Sequence, residues 1–225
     1  MNSRRQFTFQ ALGLLGTGWA ADAHALTETD AASGIRAALE RGATSAVSLL
    51  GRNDGFLGNP KVRIPLPDAL HDAARLLKAL GQQRKVDELV TAMNRAAEAA
   101  VPEAKTLLVS AAKAISLDDA LKIVKGGDTS VTDYFSGKTR LPLFDKFLPI
   151  VTKATEKVSL AARYNSFASK AQGLGLVKAE DANLQHHVTT KALDGLFLMI
   201  GEEEKKIRAD PVKTGSAILK KVFGG

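Results

Sequence analysis

From Ala31 to Leu50, the apolar residues Ile35, Ala38, Leu39, Ala43, Ala46, Val47 and Leu50 fall three or four positions apart, and this spacing recurs along most of the chain. A repeat near 3.6 places them on one face of a helix, whereas a strand would need alternation. The breaks in the pattern are those of helix ends. Gly51 follows the first stripe and Gly81 a second, Asp68 to Leu80, whose inward residues are Leu70, Ala73, Ala74, Leu77 and Leu80. A third stripe, Arg84 to Val101, is carried by Val86, Leu89, Val90, Met93, Ala97, Ala100 and Val101, and Pro102 opens the next helix at its first turn. Ser116-Leu117-Asp118-Asp119 is a helix start ending at Lys125. Further helices are expected over 128–135, 142–158, 160–172, 183–208 and 212–223, with Gly137-Lys138-Thr139 as a turn and Pro149 as a kink.

One stretch breaks the rule. Asp54 to Pro67, DGFLGNPKVRIPLP, has three prolines and two glycines, which forbid a continuous helix. Val62, Ile64 and Leu66 alternate with Arg63 and Pro65, so a short extended or edge segment is expected, with Pro65 against a central strand. The chain therefore reads as all-α, a single compact multi-helix domain over residues 26–225, with an irregular or hairpin-like insert near 55–67. Within 193–200, LDGLFLMI, only Asp194 and Gly195 interrupt the apolar run. Such a helix is central, or faces a partner or an apolar ligand; incomplete cover by its own chain would favour homo-oligomers.

The first 25 residues read as an export signal. Arg4 and Arg5 supply a positive start, Ala11 to Ala21 a short apolar stretch, and Ala23-His24-Ala25 the small residues of a cleavage site before Leu26. Ser3-Arg4-Arg5-Gln6-Phe7 resembles the twin-arginine form of such a signal, the general secretory form being the alternative. A spanning helix needs about 20 apolar residues, more than this stretch offers. The expected location is the bacterial periplasm, and the first partner is the export machinery.

The 225-residue chain has no cysteine, which excludes disulfides, thiolate catalysis and sulfur-ligated clusters. Its formal charge is +7, and loss of Arg4, Arg5 and Asp22 with the leader lowers it by one. The remaining charges are mixed in sign along the chain, without a block of five or six alike, so a nucleic-acid partner is not expected. A loose attraction to anionic lipid or envelope surfaces fits the same balance.

Several motifs look chemical and fail on spacing. Ser136-Gly137-Lys138-Thr139 ends like a phosphate loop, but such a loop needs glycine where Thr132 stands. Ser110-x-x-Lys113 with Lys213-Thr214-Gly215 mimics a penicillin-binding enzyme without the strand that the triplet occupies. His71, His186 and His187 are the histidines beyond the leader. The adjacent pair points about 100° apart on a helix and cannot converge on one metal ion. No cofactor is expected.

The segments DGFLGNPKVRIPLP, MNRAAEAAVPEAK, GGDTSVTDYF, FLPIV and EDANLQHHVTTKALDGLFLMIGEEEKKIR, in that order, resemble the bacterial family catalogued as domain of unknown function 4197. The resemblance runs from about Thr29 to Gly224. It implies an exported protein and carries over no catalytic residue.

Two functional readings follow. The first is a non-enzymatic envelope binding or accessory protein, taking an apolar or amphipathic ligand or a partner along Phe144, Phe147, Leu196, Phe197 and Ile200. The alternative is an enzyme of unassigned type built on the polar cluster Asp128, Thr129, Thr132, Asp133 and Tyr134. Both residue sets have plainer uses, core filling for the first and helix capping after Gly126-Gly127 for the second.

Overall fold

A computed structural model describes residues 28–127, 129–173 and 183–210. These residues form eight α-helices: α1 (Glu28–Leu50), α2 (His71–Ala79), α3 (Gln83–Ala100), α4 (Ala104–Lys113), α5 (Leu117–Lys125), α6 (Ser130–Thr155), α7 (Ser159–Gly173) and α8 (Leu184–Ala209). Short 3-10 turns at Asp68–Leu70 and Val101–Glu103 lead into α2 and α4. No strand occurs among them, which establishes the all-α class. The expected export signal and the expected 212–223 helix lie outside the described residues, as does Asp128.

The helix ends follow local chemistry. Ser116 accepts the Asp119 N–H at 3.1 Å to start α5, and Asn183 accepts those of Gln185 and His186 at 2.8 and 3.2 Å to start α8. Gly81 ends the α2 region at φ 73°, where the Gln82 N–H returns to the Leu77 carbonyl at 2.8 Å.

The expected break at Gly137-Lys138-Thr139 is absent: α6 runs unbroken through Pro142 and Pro149. Each proline removes one helical donor, from the carbonyls of Lys138 and Asp145. Both of those residues are exposed, so water can take the orphaned acceptors. Phe135, Leu143, Phe147 and Val151 are buried on the opposite face, and their burial outweighs the lost bonds.

At the centre lies α8. It packs on α1, α3, α6 and α7 and buries Leu184, Val188, Leu193, Leu196 and Ile200 in one contiguous apolar core. Residues 193–200 are covered by their own chain except at Asp194 and Leu198.

The 51–67 segment lies against α8 as turns and bends up to Val62, followed by a stretch at 63–67 with no regular structure and no strand partner. Its prolines cannot donate to a ladder, and α3 supplies the partners that a strand would have supplied. Asn94 accepts the Ile64 N–H at 2.8 Å and donates to the Ile64 carbonyl at 3.0 Å. Glu98 accepts the N–H groups of Phe56 and Leu57, both at 3.0 Å. So held, Phe56, Val62 and Ile64 are buried.

Gly195 makes this approach possible. A Cβ there would stand 2.8 Å from the Phe56 ring, closer than carbon atoms pack, and a tight 3.2 Å from the Val62 Cβ. Gly195→Ala is expected to cost about 1–3 kcal/mol by overpacking, despite alanine's better helix propensity. Thermal unfolding checks this; an unchanged or raised midpoint would show that the insert yields freely.

Candidate functional site

The sequence-predicted polar cluster lies at the start of α6. There the first backbone N–H groups of the helix need acceptors. Thr129 precedes the helix, but its side chain caps nothing. Its hydroxyl instead donates to Asp133 at 3.1 Å. The cap comes from α8: the Glu204 carboxylate accepts the Val131 N–H at 3.2 Å, the Thr132 N–H at 3.1 Å and the Thr132 hydroxyl at 2.8 Å. Arg208, one turn further along α8, donates to Glu204 at 3.0 Å and to Ser130 Oγ at 2.9 Å. Glu204 is buried, so its charge is matched there by a guanidinium and a helix N-terminus together. Tyr134 is half-buried beside Lys138, whose ammonium lies 5.9 Å from the ring centre. Burial, and then the charge of Asp119, pushes its phenol above the ordinary value, so it keeps its proton at neutral pH.

Beside this junction an open cleft of about 370 Å³ runs between α6 and α8. Thr132, Ser136 and Arg140 form one wall, with Thr129 and Asp133 at its end; Phe197, Leu198 and Gly201 form the floor. Asp194 and Glu202 rise from the same helix, and both are paired. Arg140 binds Asp194 across the cleft, and Lys61 of the insert donates to Glu202 at 2.6 Å. That bond holds the Glu202 carboxyl below the ordinary glutamate value, while Arg140 also sits 5.9 Å from the Phe197 ring centre. A smaller hollow of about 170 Å³, between the insert and α8, shares Asp194 and Leu198 and continues the groove past Lys61, Arg63 and Lys191. Leu198, 46% exposed, lies where the two meet.

The five apolar candidates divide. Phe147, Leu196 and Ile200 are buried core residues, and Ile200 lines a void of about 10 Å³. Phe197 is buried but reaches the cleft floor. Phe144 is half-buried, edge-on to His186 at 5.3 Å between ring centres. The five therefore line no common groove. Of the polar cluster, Thr129, Thr132 and Asp133 reach the cleft, and Tyr134 is not among its lining residues. His187 is buried and turned to the Pro65 carbonyl, 3.3 Å from its Nε2, while His71 is exposed beside Asp68. No group of three metal-ligating side chains occurs among the described residues.

Sequence reasoning missed Glu98, Asn94, Glu204 and the exposed Leu198. A faint signal existed for the first: Glu98 stands alone in Ala96-Ala97-Glu98-Ala99-Ala100, where a helix-packing surface leaves a carboxylate no water.

Comparison with protein families completes the picture. The model described as "Protein of unknown function (DUF4197)" matches residues 25–224. The chain belongs to this family. No curated protein and no solved structure matches it. The match begins before α1 and extends past α8, so the insert, the α6 cap and the cleft all lie inside the family's extent.

Proposed function

We propose that this DUF4197 member is a non-enzymatic binding or accessory protein of the bacterial envelope, exported on residues 1–25, whose α6–α8 cleft receives an amphipathic ligand or partner segment. The carrying observation is the floor of that cleft. Leu198 is half exposed and lines both hollows, Phe197 lines the larger one, and the ion pairs Arg140–Asp194 and Lys61–Glu202 stand alongside. An apolar anchor inside a polar rim is the usual layout of a surface that another molecule covers.

The polar cluster supports binding over chemistry. The Thr132 hydroxyl and the Glu204 carboxylate are occupied in joining α6 to α8, and Asp133 takes the Thr129 hydroxyl. A general base needs a free acceptor near the reacting proton, and Glu204, which accepts from two amides, a hydroxyl and the Arg208 guanidinium, offers none.

Native mass spectrometry of the folded chain isolated from bacterial envelopes is the test. An amphipathic ligand is expected to copurify, with occupancy at least about tenfold lower for Leu198→Asp. The midpoint of unfolding should stay nearly unchanged, since an exposed position loses little packing. Wild-type protein that carries nothing, or a Leu198→Asp form that binds as well, would refute the cleft as the site.

A further inference from the structure

A second surface lies away from the cleft, at the hairpin joining α2 and α3. Helix α2 packs against α3 and the turn before it, burying Ala74. On its outward side Leu76 and Leu80 are 62% and 65% exposed, so Leu80, expected inward from the spacing, instead turns out where α2 ends. They stand four residues apart, hence on one edge of the helix, and Gly81 turns the chain immediately after them. Scattered single leucines on a surface need no explanation, but an adjacent pair at a turn is an apolar point.

The charges on the turn itself share one sign, with Asp87 and Glu88 one helical turn behind it on α3. Arg75, Lys78, Arg84 and Lys85 fall within residues 73–86, which contain no aspartate or glutamate. Lys78 closes α2 and the other three are exposed near the turn. The nearest acids along the chain are Asp72 on one side and Asp87 and Glu88 on the other. Arg84 contacts Glu88 at 3.2 Å, in a solvent-exposed pair that is weak and easily exchanged for another anion.

From this juxtaposition we infer that the α2–α3 hairpin docks on an anionic lipid bilayer, with Leu76 and Leu80 entering the boundary between headgroups and acyl chains and Lys78, Arg84 and Lys85 meeting lipid phosphates. Charge complementarity selects the lipid surface over a second copy of the chain. A symmetric contact through this tip would set like cations against each other. Apolar residues on one side of a short helix with cations beside them is the layout of helices that lie in the interface plane. No described helix is long and apolar enough to cross a membrane, so attachment here is to the surface.

The test is cosedimentation of the full chain with vesicles of phosphatidylglycerol and phosphatidylethanolamine, against vesicles of phosphatidylcholine alone. Binding is expected to the anionic vesicles, and to weaken as salt rises from 0.1 to 0.5 M by about tenfold or more. Leu76→Glu with Leu80→Glu should lower it at least about thirtyfold. Lys78→Ser with Arg84→Ser and Lys85→Ser should lower it about a hundredfold on anionic vesicles and leave phosphatidylcholine unchanged. Circular dichroism should show the same helicity for all forms, since every substituted side chain is on the surface. The leader is common to all of them. Equal binding by wild type and the leucine variant would place attachment elsewhere and overturn the inference. So would a leucine variant that dissociates a dimer, seen by light scattering, while binding vesicles normally.

Discussion

Glu98→Ala is expected to lower the unfolding free energy by about 3–5 kcal/mol, from two amides left without acceptors at about 1–3 kcal/mol each. Both amides, Phe56 and Leu57, lie where the insert turns onto α3, and Phe56 is fully buried. Water cannot enter to replace the carboxylate without opening the contact between Phe56 and Gly195. Arg95, which donates to Glu98 at 2.7 Å and to Asp54 at 2.9 Å, would lose its firmer partner as well. Glu98→Gln keeps an acceptor oxygen at the same reach and should recover about half of the loss. Urea denaturation followed by circular dichroism measures both. A loss below about 1 kcal/mol for Glu98→Ala would mean that solvent already reaches these amides.

The second large effect is at the α6–α8 junction. Glu204→Ala should cost about 3–5 kcal/mol, because it strands the partly buried Arg208 and uncaps α6 in one step. Glu204→Ala combined with Arg208→Met should cost less than Glu204→Ala alone, since no unmatched charge remains. The sign of that difference is the test. If the double variant is the less stable one, then Arg208 contributes mainly through Ser130 and the Ile123 carbonyl, to which it also donates at 2.9 and 3.3 Å.

These two carboxylates also show where a sequence stops being readable. The helices with a full apolar stripe and clear end signals, such as α1 and α3, follow from spacing within three residues of their observed ends. Helix α6 does not, because prolines and a glycine are local signals and its continuity is decided by partners on α3 and α8. The distinction is sharper for Asn94, Glu98 and Glu204. Counted by periodicity they are surface residues of amphipathic helices, yet each is buried against backbone groups 30 to 73 residues away in sequence. Nothing local records that such a partner exists. In the cleft, the residue types of α6 could be listed in advance. That Glu204 would occupy Thr132, leaving Thr129, Ser136 and Arg140 to face Leu198, needed the packing of α8.

The central position of α8 has a consequence for the order in which the molecule can be made. It is the last described helix in the chain, yet it meets α1, α3, α6 and α7 and receives Phe56 in its Gly195 notch. Many domains settle from the N-terminus as they leave the ribosome. This one cannot close its core that way, because Leu39, Phe56 and Phe135 share it with residues supplied only after position 183. Synthesis of four-fifths of the chain therefore leaves wet the faces of α1, α3 and α6 that α8 covers, and the final segment closes them together.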